Sequence, residues 1–172
     1  MTNKSLYCSD CKQSLEMKYF YQPLKNETYG WCKVCRNKYE KEKRDLRIKK
    51  GVCVRCQKER PPNCLNYCEY HHIEALVIRN FGRSSKKEIT DYLYQKLHTQ
   101  KYICPYTGEK LVLGINAHVD HIYPKARFPE LANNLNNLEW ISKEANYAKR
   151  DLTREEFISF CKKVVIYSKS HD

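Results

Sequence analysis

The sequence contains no apolar run of about 18 residues, the length that marks a membrane-spanning helix. Its first residues, MTNKSLYCSDC, also lack the apolar stretch of a secretory signal peptide. Acidic residues are fewer than basic ones: the chain has 20 Asp and Glu and 32 Lys and Arg, so its formal net charge is +12. These features predict a soluble intracellular protein without membrane contact, and the charge favours a polyanionic partner, nucleic acid first.

Apolar residues are limited too, at 41% of the chain, while 30% is charged. A single large core is therefore not expected, and small modules held by metal ions suit this composition better. Cysteine is abundant instead, because the chain has ten and eight of them precede residue 70. In a reducing compartment, the recurring C-x-x-C spacing favours zinc over disulfide bonds.

The first cysteine group combines two C-x-x-C pairs. Each pair forms a tight turn that presents two thiolates, and two pairs complete a tetrahedral zinc site. The predicted ligands of this first zinc ion are Cys8, Cys11, Cys32 and Cys35. Disulfide or redox thiols remain the alternative. Between the pairs, segments 17–21 and 27–31 predict short strands or packing aromatic side chains.

A second group begins with Cys53 and Cys56, which leave two ligand positions to fill. Four residues compete for these positions: Cys64, Cys68, His71 and His72. We favour Cys68 with His71, because their C-x-x-H spacing fits a turn that opens the next helix. Cys64 with Cys68 is the alternative.

A basic helix is predicted over residues 36–50, which contain no Gly or Pro. From residue 33 to residue 60, 12 Lys and Arg exceed 4 Asp and Glu by eight charges. The helix could be a solvated surface with pairs such as Glu40–Arg44, but the excess of one sign favours contact with DNA phosphates. The candidate contacts are Arg36, Lys38, Lys43, Arg44 and Arg47.

Three further helices are predicted. Residues 73–82 are apolar enough for a buried helix, and Ser84 or Ser85 caps a helix over residues 86–100. Thr153 and Glu156 form a capping box for a last helix. Its apolar residues repeat at helical spacing and predict a helix that packs on the core: Phe157, Phe160, Cys161, Val164 and Val165.

Residues 115–150 carry the chemistry of a hydrolytic site. Asp120 and Asn146 offer the oxygen ligands that a hard divalent cation such as Mg²⁺ prefers. His121, beside Asp120, can take a proton from water. Lys149 and Arg150 follow Asn146 and can neutralise a phosphate.

This stretch resembles the HNH, or ββα-metal, nucleases, in the motifs VDHIYP, NNLEWIS and KEANYAKRDLT. The resemblance covers roughly residues 101–165. It implies that Asp120 and Asn146 bind the catalytic metal, that His121 is the general base, and that Asn137 braces the loop that aims His121. His118 shares a strand face with Asp120 and is an auxiliary candidate.

The expected fold class is α+β, with small zinc-stabilised modules followed by a ββα-metal nuclease core with flanking helices. Four parts are expected: a four-cysteine module with the basic helix (1–50), a second zinc module (51–75), connecting helices (76–100), and the nuclease core with the last helix (101–172). Thr107 stands where many HNH proteins have a core cysteine, so apolar contacts must hold this core. The candidates are Leu111, Leu113, Ile122, Leu135, Leu138, Trp140 and Ile141.

The resemblance implies a sequence-specific DNA endonuclease of restriction or homing type, cytoplasmic in a bacterial or phage-infected cell. It would act on double-stranded DNA as a homodimer, with two structural zinc ions and one catalytic divalent ion per chain, and leave 5′-phosphate and 3′-hydroxyl ends. The alternative is a non-catalytic zinc-containing nucleic-acid-binding protein that retains the HNH scaffold. A nuclease that acts on RNA is a further alternative.

Overall fold

A computed structural model describes residues 5–22, 30–84 and 86–170. The chain divides into two compact units, residues 1–57 and 58–172. The finer division into four parts stays a prediction. The architecture is α+β, with five α-helices and two small antiparallel sheets among the described residues.

The first unit is built around a two-stranded sheet and one long helix. Strand β1 (Ser5–Tyr7) pairs antiparallel with β2 (Ser14–Glu16). The segment predicted as strand or packing aromatics, residues 17–21, forms a 3₁₀ turn at Met17–Tyr19 and then buries Phe20. Most of the other segment, 27–31, lies outside the described residues.

The basic helix predicted over residues 36–50 is confirmed as α1 (Lys33–Lys49). Straight-chain residues dominate it, and these lose little side-chain entropy in a helix. Gly51 follows with φ +71°, a left-handed conformation that glycine adopts without steric cost.

The second unit opens with two helices that pack together, α2 (Glu69–Phe81) and α3 (Lys86–Thr99). Both helices were expected from their apolar spacing. Their buried faces meet through Ile73, Val77, Ile89, Leu93 and Leu97. Of the two predicted caps of α3, Ser85 lies outside the described residues.

A strand–strand–helix unit packs on this helix pair. Strand β3 (Ala117–His121) pairs antiparallel with β4 (Leu138–Ser142), and α4 (Lys143–Lys149) follows directly. The indole of Trp140 donates to the carbonyl of Leu93 at 2.8 Å, which ties β4 to α3. Of the seven predicted core residues, Ile122 and Leu135 are half-buried. The other five are buried: Leu111, Leu113, Leu138, Trp140 and Ile141.

The last helix, α5 (Arg154–Lys169), begins with the predicted capping box of Thr153 and Glu156. Its predicted role as a core-packing helix is wrong. Phe157 is buried, but Phe160, Cys161, Val164 and Val165 are all exposed. Only the first turn of α5 lies against the core. Among the described residues, no element covers the apolar side chains farther along the helix. None of the described helices is both long and apolar enough to cross a bilayer.

Candidate metal centres and a strand–helix site

The four cysteines of the first group converge as their spacing predicts. The sulfur atoms of Cys8, Cys11, Cys32 and Cys35 lie within 4.8 Å of one another. β1 ends at the first pair, and the second pair opens α1, so the sheet and the helix N-terminus hold the ligands. The arrangement is compatible with a structural zinc site.

Hydrogen bonds at this group favour ionised sulfur at one position. Burial works to raise the pKa of the Cys8 thiol, but N–H groups including that of Cys32, 3.2 Å from Cys8 Sγ, lower it to about 6. A contact with Asp10, together with burial and the neighbouring sulfurs, raises the pKa of Cys35. The Cys8 thiol therefore ionises more readily than that of Cys35, and a divalent metal is the charge that would let both act as thiolates.

The second group matches the preferred ligand choice. Donor atoms of Cys53, Cys56, Cys68 and His71 lie within 4.8 Å of one another. Cys68 caps α2 and His71 lies in its first turn, so their atoms Sγ and Nδ1 are 3.3 Å apart. Cys64, the alternative ligand, belongs instead to the buried apolar cluster. This group too is compatible with structural zinc.

Two side-chain contacts join β3 to α4. The ammonium of Lys149 lies 2.9 Å from Asp120 Oδ2 and donates to the carbonyl of His121 at 2.9 Å. The Lys149 side chain is completely buried, and the Asp120 contact is an ion pair rather than a well-directed hydrogen bond. Lys149, which the sequence assigned to a phosphate, thus has its partners inside the protein.

The second contact joins His118 to Asn146, whose amide nitrogen lies 3.0 Å from His118 Nδ1. Burial and the charges of Lys143 and Arg79 lower the pKa of His118, against an opposing effect of Glu144, so the ring is neutral at pH 7. Because Nδ1 accepts from the amide, Nε2 carries the proton and is a donor. The amide oxygen of Asn146 remains for a cation.

These two contacts set Asp120 and Asn146 on facing elements. His118 and Asp120 are two residues apart on β3 and share a face, while Asn146 and Lys149 are three apart on one face of α4. The strand therefore meets the helix twice, at adjacent positions. This brings Asp120 and Asn146 to neighbouring positions of the contact between β3 and α4.

His121 has a fixed ring orientation. Its Nε2 lies 3.1 Å from the carbonyl of Ala132, and its ring centroid is 6.0 Å from that of Phe81. A carbonyl oxygen only accepts, so Nε2 must carry the proton and Nδ1 keeps its lone pair. The imidazole is thus held in the tautomer that can take a proton at Nδ1.

Asn137 closes the loop between the two strands. Its side-chain nitrogen donates to the carbonyls of Tyr123 at 2.9 Å and Leu131 at 3.2 Å, and its oxygen accepts from the N–H of Tyr123 at 2.7 Å. The side chain is buried. Asn137 therefore makes the contacts expected of a residue that braces the loop behind His121.

A second ion pair lies on the same face of the sheet. Glu139 is directly opposite Asp120 in the strand register and is buried. It pairs with Arg154 of α5 and accepts from the hydroxyl of Tyr106 at 2.5 Å. Each of the two facing carboxylates thus has its own cation, Lys149 for Asp120 and Arg154 for Glu139, which offsets their repulsion.

The candidate DNA contacts differ in exposure. Arg36, Lys38, Lys43 and Arg44 are exposed on α1, and Arg36 lies 3.9 Å from Glu40. Arg47 is half-buried and donates to the carbonyl of Val54. Arg150, just after α4, is exposed. Their contact with DNA stays a prediction.

Sequence reasoning missed three residues of this region: Arg79, Tyr106 and Glu139. Arg79 and Tyr106 precede the stretch 115–150, but Glu139 lies inside NNLEWIS and could have been found from its place opposite Asp120 in a hairpin. No family model, curated protein or solved structure matches this chain.

Proposed function

We propose that this protein is a metal-dependent DNA endonuclease. One observation carries the proposal: His121, the residue that follows Asp120, is held through Nε2 by the carbonyl of Ala132, which leaves Nδ1 available as a base. The fixed tautomer supports a role for His121 as a base. The resemblance to HNH nucleases supports the same assignment.

The residues present fit a catalytic divalent cation. Asp120 and Asn146 would hold it, because each offers an oxygen and hard cations prefer such ligands. When bound, the cation would supply positive charge that stabilises the phosphate and the departing 3′ oxygen. The donor set contains no sulfur, which favours Mg²⁺ or Mn²⁺ over zinc.

The chain's own groups perform the remaining steps. His121 Nδ1 takes a proton from water, and the water oxygen bonds to phosphorus as the bond from phosphorus to the 3′ oxygen breaks. The 3′ oxygen then takes a proton from solvent, which leaves 5′-phosphate and 3′-hydroxyl ends. His118, a neutral Nε2 donor, and the exposed Arg150 would bind non-bridging oxygens. Lys149 orients Asp120 rather than the substrate.

The basic helix α1 and the net charge of +12 favour DNA as the partner. We propose that sequence selection, of restriction or homing type, lies in the cysteine-rich first part of the chain. The two cysteine groups would each hold one structural zinc ion there.

The test is cleavage of a randomised duplex library by the zinc-loaded protein with Mg²⁺ or Mn²⁺. His121→Ala should abolish cleavage while DNA affinity stays unchanged. His98→Ala, a half-exposed histidine paired with Glu69, is the matched control and should cut normally. Failure of the wild type to cut any duplex or RNA would contradict the proposal.

One observation favours the rival reading of a non-catalytic DNA-binding protein. The ammonium of Lys149 already neutralises Asp120, so the fold does not need a metal there to balance this charge. Under that reading Mg²⁺ would neither bind at Asp120 nor stabilise the protein. Paramagnetic broadening of Asp120 and Asn146 resonances by Mn²⁺ would separate the two readings before any substrate is known.

A further inference from the structure

The segment that follows β2 presents two tyrosine rings to solvent. Phe20 has an extended backbone, pairs with Cys32 in an antiparallel bridge and is only 4% exposed. Side chains alternate along an extended backbone, so Tyr19 and Tyr21 lie on the opposite side from Phe20. They keep 47% and 52% of their surface in solvent. Phe20 therefore supplies the contact with the core of this unit, and packing does not account for the two tyrosines.

An ammonium group lies near each of these rings. Lys18 Nζ is 5.1 Å from the ring centroid of Tyr19, and Lys33 Nζ is 5.7 Å from that of Tyr21. Single exposed aromatic side chains are common on protein surfaces. Two neighbouring rings with a cation at each are a more specific arrangement, because a ring can stack on a nucleobase while the ammonium neutralises a nearby phosphate.

Two hydrogen bonds connect this segment to helix α1. Lys33 Nζ donates to the carbonyl of Lys18 at 2.6 Å, and the hydroxyl of Tyr21 donates to Asn37 Oδ1 at 2.9 Å. Lys33 and Asn37 are one turn apart on the same face of α1. A ring that is held in place before a ligand arrives loses less conformational freedom on binding. We call the following residues the tyrosine–lysine surface: Lys18, Tyr19, Tyr21, Lys33 and Asn37.

The acidic side chains beside this surface already have basic partners. Glu16 lies 3.0 Å from Lys18, and Glu40, one turn beyond the surface on α1, lies 3.9 Å from Arg36. All four side chains are about half exposed or more, and exposed ion pairs stabilise a protein little. A phosphate oxygen can therefore replace the carboxylate at either cation at little cost.

We propose that the tyrosine–lysine surface binds a single strand of nucleic acid, with bases stacked on Tyr19 and Tyr21. In a duplex the neighbouring bases cover both faces of each base, and only the edges are open in the grooves. An unpaired strand leaves its base faces open. The two tyrosines are about 6.5 Å apart along an extended backbone. An extended single strand can match this spacing, whereas the bases of a duplex follow one another at about 3.4 Å.

Stacking carries little sequence information, because every base has an aromatic face. The surface thus provides affinity for unpaired nucleotides of DNA or RNA rather than selection of a target sequence. It lies wholly within the unit of residues 1–57 and does not depend on the proposed nuclease function. If that function also holds, the surface would hold a strand that is unpaired beside the duplex.

The first test measures strand binding by fluorescence anisotropy, with the zinc-loaded full chain and no added Mg²⁺ or Mn²⁺. The probes are a deoxyuridine strand of about 12 nucleotides, an abasic strand of the same length, and a uridine RNA strand. The abasic strand keeps every phosphate but has no base to stack. The wild type should bind the deoxyuridine strand at least about 5-fold more tightly than the abasic strand. Still tighter binding of the uridine strand would assign the surface to RNA.

Tyr19→Ala and Tyr21→Ala should each weaken binding of the deoxyuridine strand by about 5-fold or more and leave binding of the abasic strand unchanged. Tyr21→Phe keeps the ring and should bind like the wild type. Lys18→Gln should weaken both strands equally and reduce the salt slope by about 0.7, the effect of one lost phosphate contact. Tyr167→Ala, which removes an exposed ring near the end of α5, is the matched control and should change neither affinity. A zinc content of two ions checks that each variant is folded.

The second test locates the site without any substitution. A 5-iododeoxyuridine in the strand loses iodine on irradiation and bonds to an aromatic ring that is stacked against it. Mass spectrometry of peptides from the wild-type complex should find the link at Tyr19 or Tyr21. Links confined to other aromatic residues would overturn the proposal.

Equal affinity of the wild type for the deoxyuridine and abasic strands would also overturn it, as would equal losses in Tyr21→Ala and Tyr167→Ala. The binding assay measures no cleavage. A protein that discriminates between these strands but never cuts would contradict the proposed nuclease function and leave the tyrosine–lysine surface in place. Cleavage of a duplex by a protein that does not discriminate would have the opposite meaning.

Discussion

The ammonium of Lys149 lies 2.9 Å from Asp120 Oδ2, and the Lys149 side chain is completely buried. The ion pair joins the helix α4 to the strand β3 at the residue proposed to bind the catalytic cation. One oxygen of Asp120 faces the lysine, and the other remains for a ligand. The lysine therefore sets the direction in which the carboxylate points.

Lys149→Met should destabilise the protein by about 3 kcal/mol, because removal of one partner leaves a buried charge without compensation. Urea denaturation with zinc present measures this. The double variant Asp120→Asn with Lys149→Met should recover part of the loss, since neither charge remains. Lys125→Met, at an exposed position, should change the free energy of unfolding by less than about 0.5 kcal/mol. Equal effects at positions 149 and 125 would contradict the buried pair.

Asn137→Ala should loosen the loop between β3 and β4. It removes three hydrogen bonds to Tyr123 and Leu131, which predicts a loss of about 1–3 kcal/mol. Asn137→Asp should be worse, since a carboxylate would face two carbonyl oxygens. If the protein cleaves DNA, kcat should fall more than KM rises. Asn136→Ala, exposed and adjacent, is the control and should leave both stability and kcat close to wild type.

Zinc content should be two ions per chain by inductively coupled plasma mass spectrometry. Cys35→Ser should reduce it to one, and so should Cys68→Ser. Cys64→Ala and Cys161→Ser should keep two, because neither sulfur belongs to a ligand group. Retention of two ions by Cys68→Ser together with loss in Cys64→Ala would reassign the second site.

Glu156 provides a pH prediction. Hydrogen bonds from Arg127 and from the backbone N–H of Thr153 lower its pKa to about 2 from the ordinary value of 4.5. A depressed carboxyl pKa stabilises the fold above pH 4.5, and this contribution is lost as the pH falls towards 2. Carboxyl ¹³C NMR should record the low midpoint. Arg127→Gln should raise it, and Lys169→Gln, at the far end of α5, should not.

Local patterns predicted much of this structure. The cysteine spacing anticipated both ligand groups, and Thr153 with Glu156 anticipated the start of α5, because each pattern needs only a few neighbouring residues. Asn137 was assigned as a loop brace from a resemblance, and its contacts are of that kind. The strands β1 and β2, with three residues each, are too short for an alternation to be read.

Two features could not be predicted from the sequence, for physical reasons. The apolar spacing of α5 reports which side chains share a face, but not whether anything covers that face. The burial of Lys149 depends on Asp120, 29 positions earlier, and on the register that brings β3 against α4. From the sequence alone, a basic residue after Asn146 is as consistent with a contact to phosphate at the surface as with a buried ion pair. The structure of the neighbouring strand decides between them.

The hydrogen bonds of Asn137 have a consequence for loop length. They fasten Tyr123 and Leu131, and the carbonyl that orients His121 belongs to Ala132, just beyond. Residues 124–130 thus form a loop. The hydrogen bonds of Asn137 hold the residues at its two ends, Tyr123 and Leu131, and do not involve the residues between them. Closing a longer loop between the same two ends costs little extra conformational entropy. A change of length between Tyr123 and Leu131 would therefore leave in place the carbonyl that orients His121.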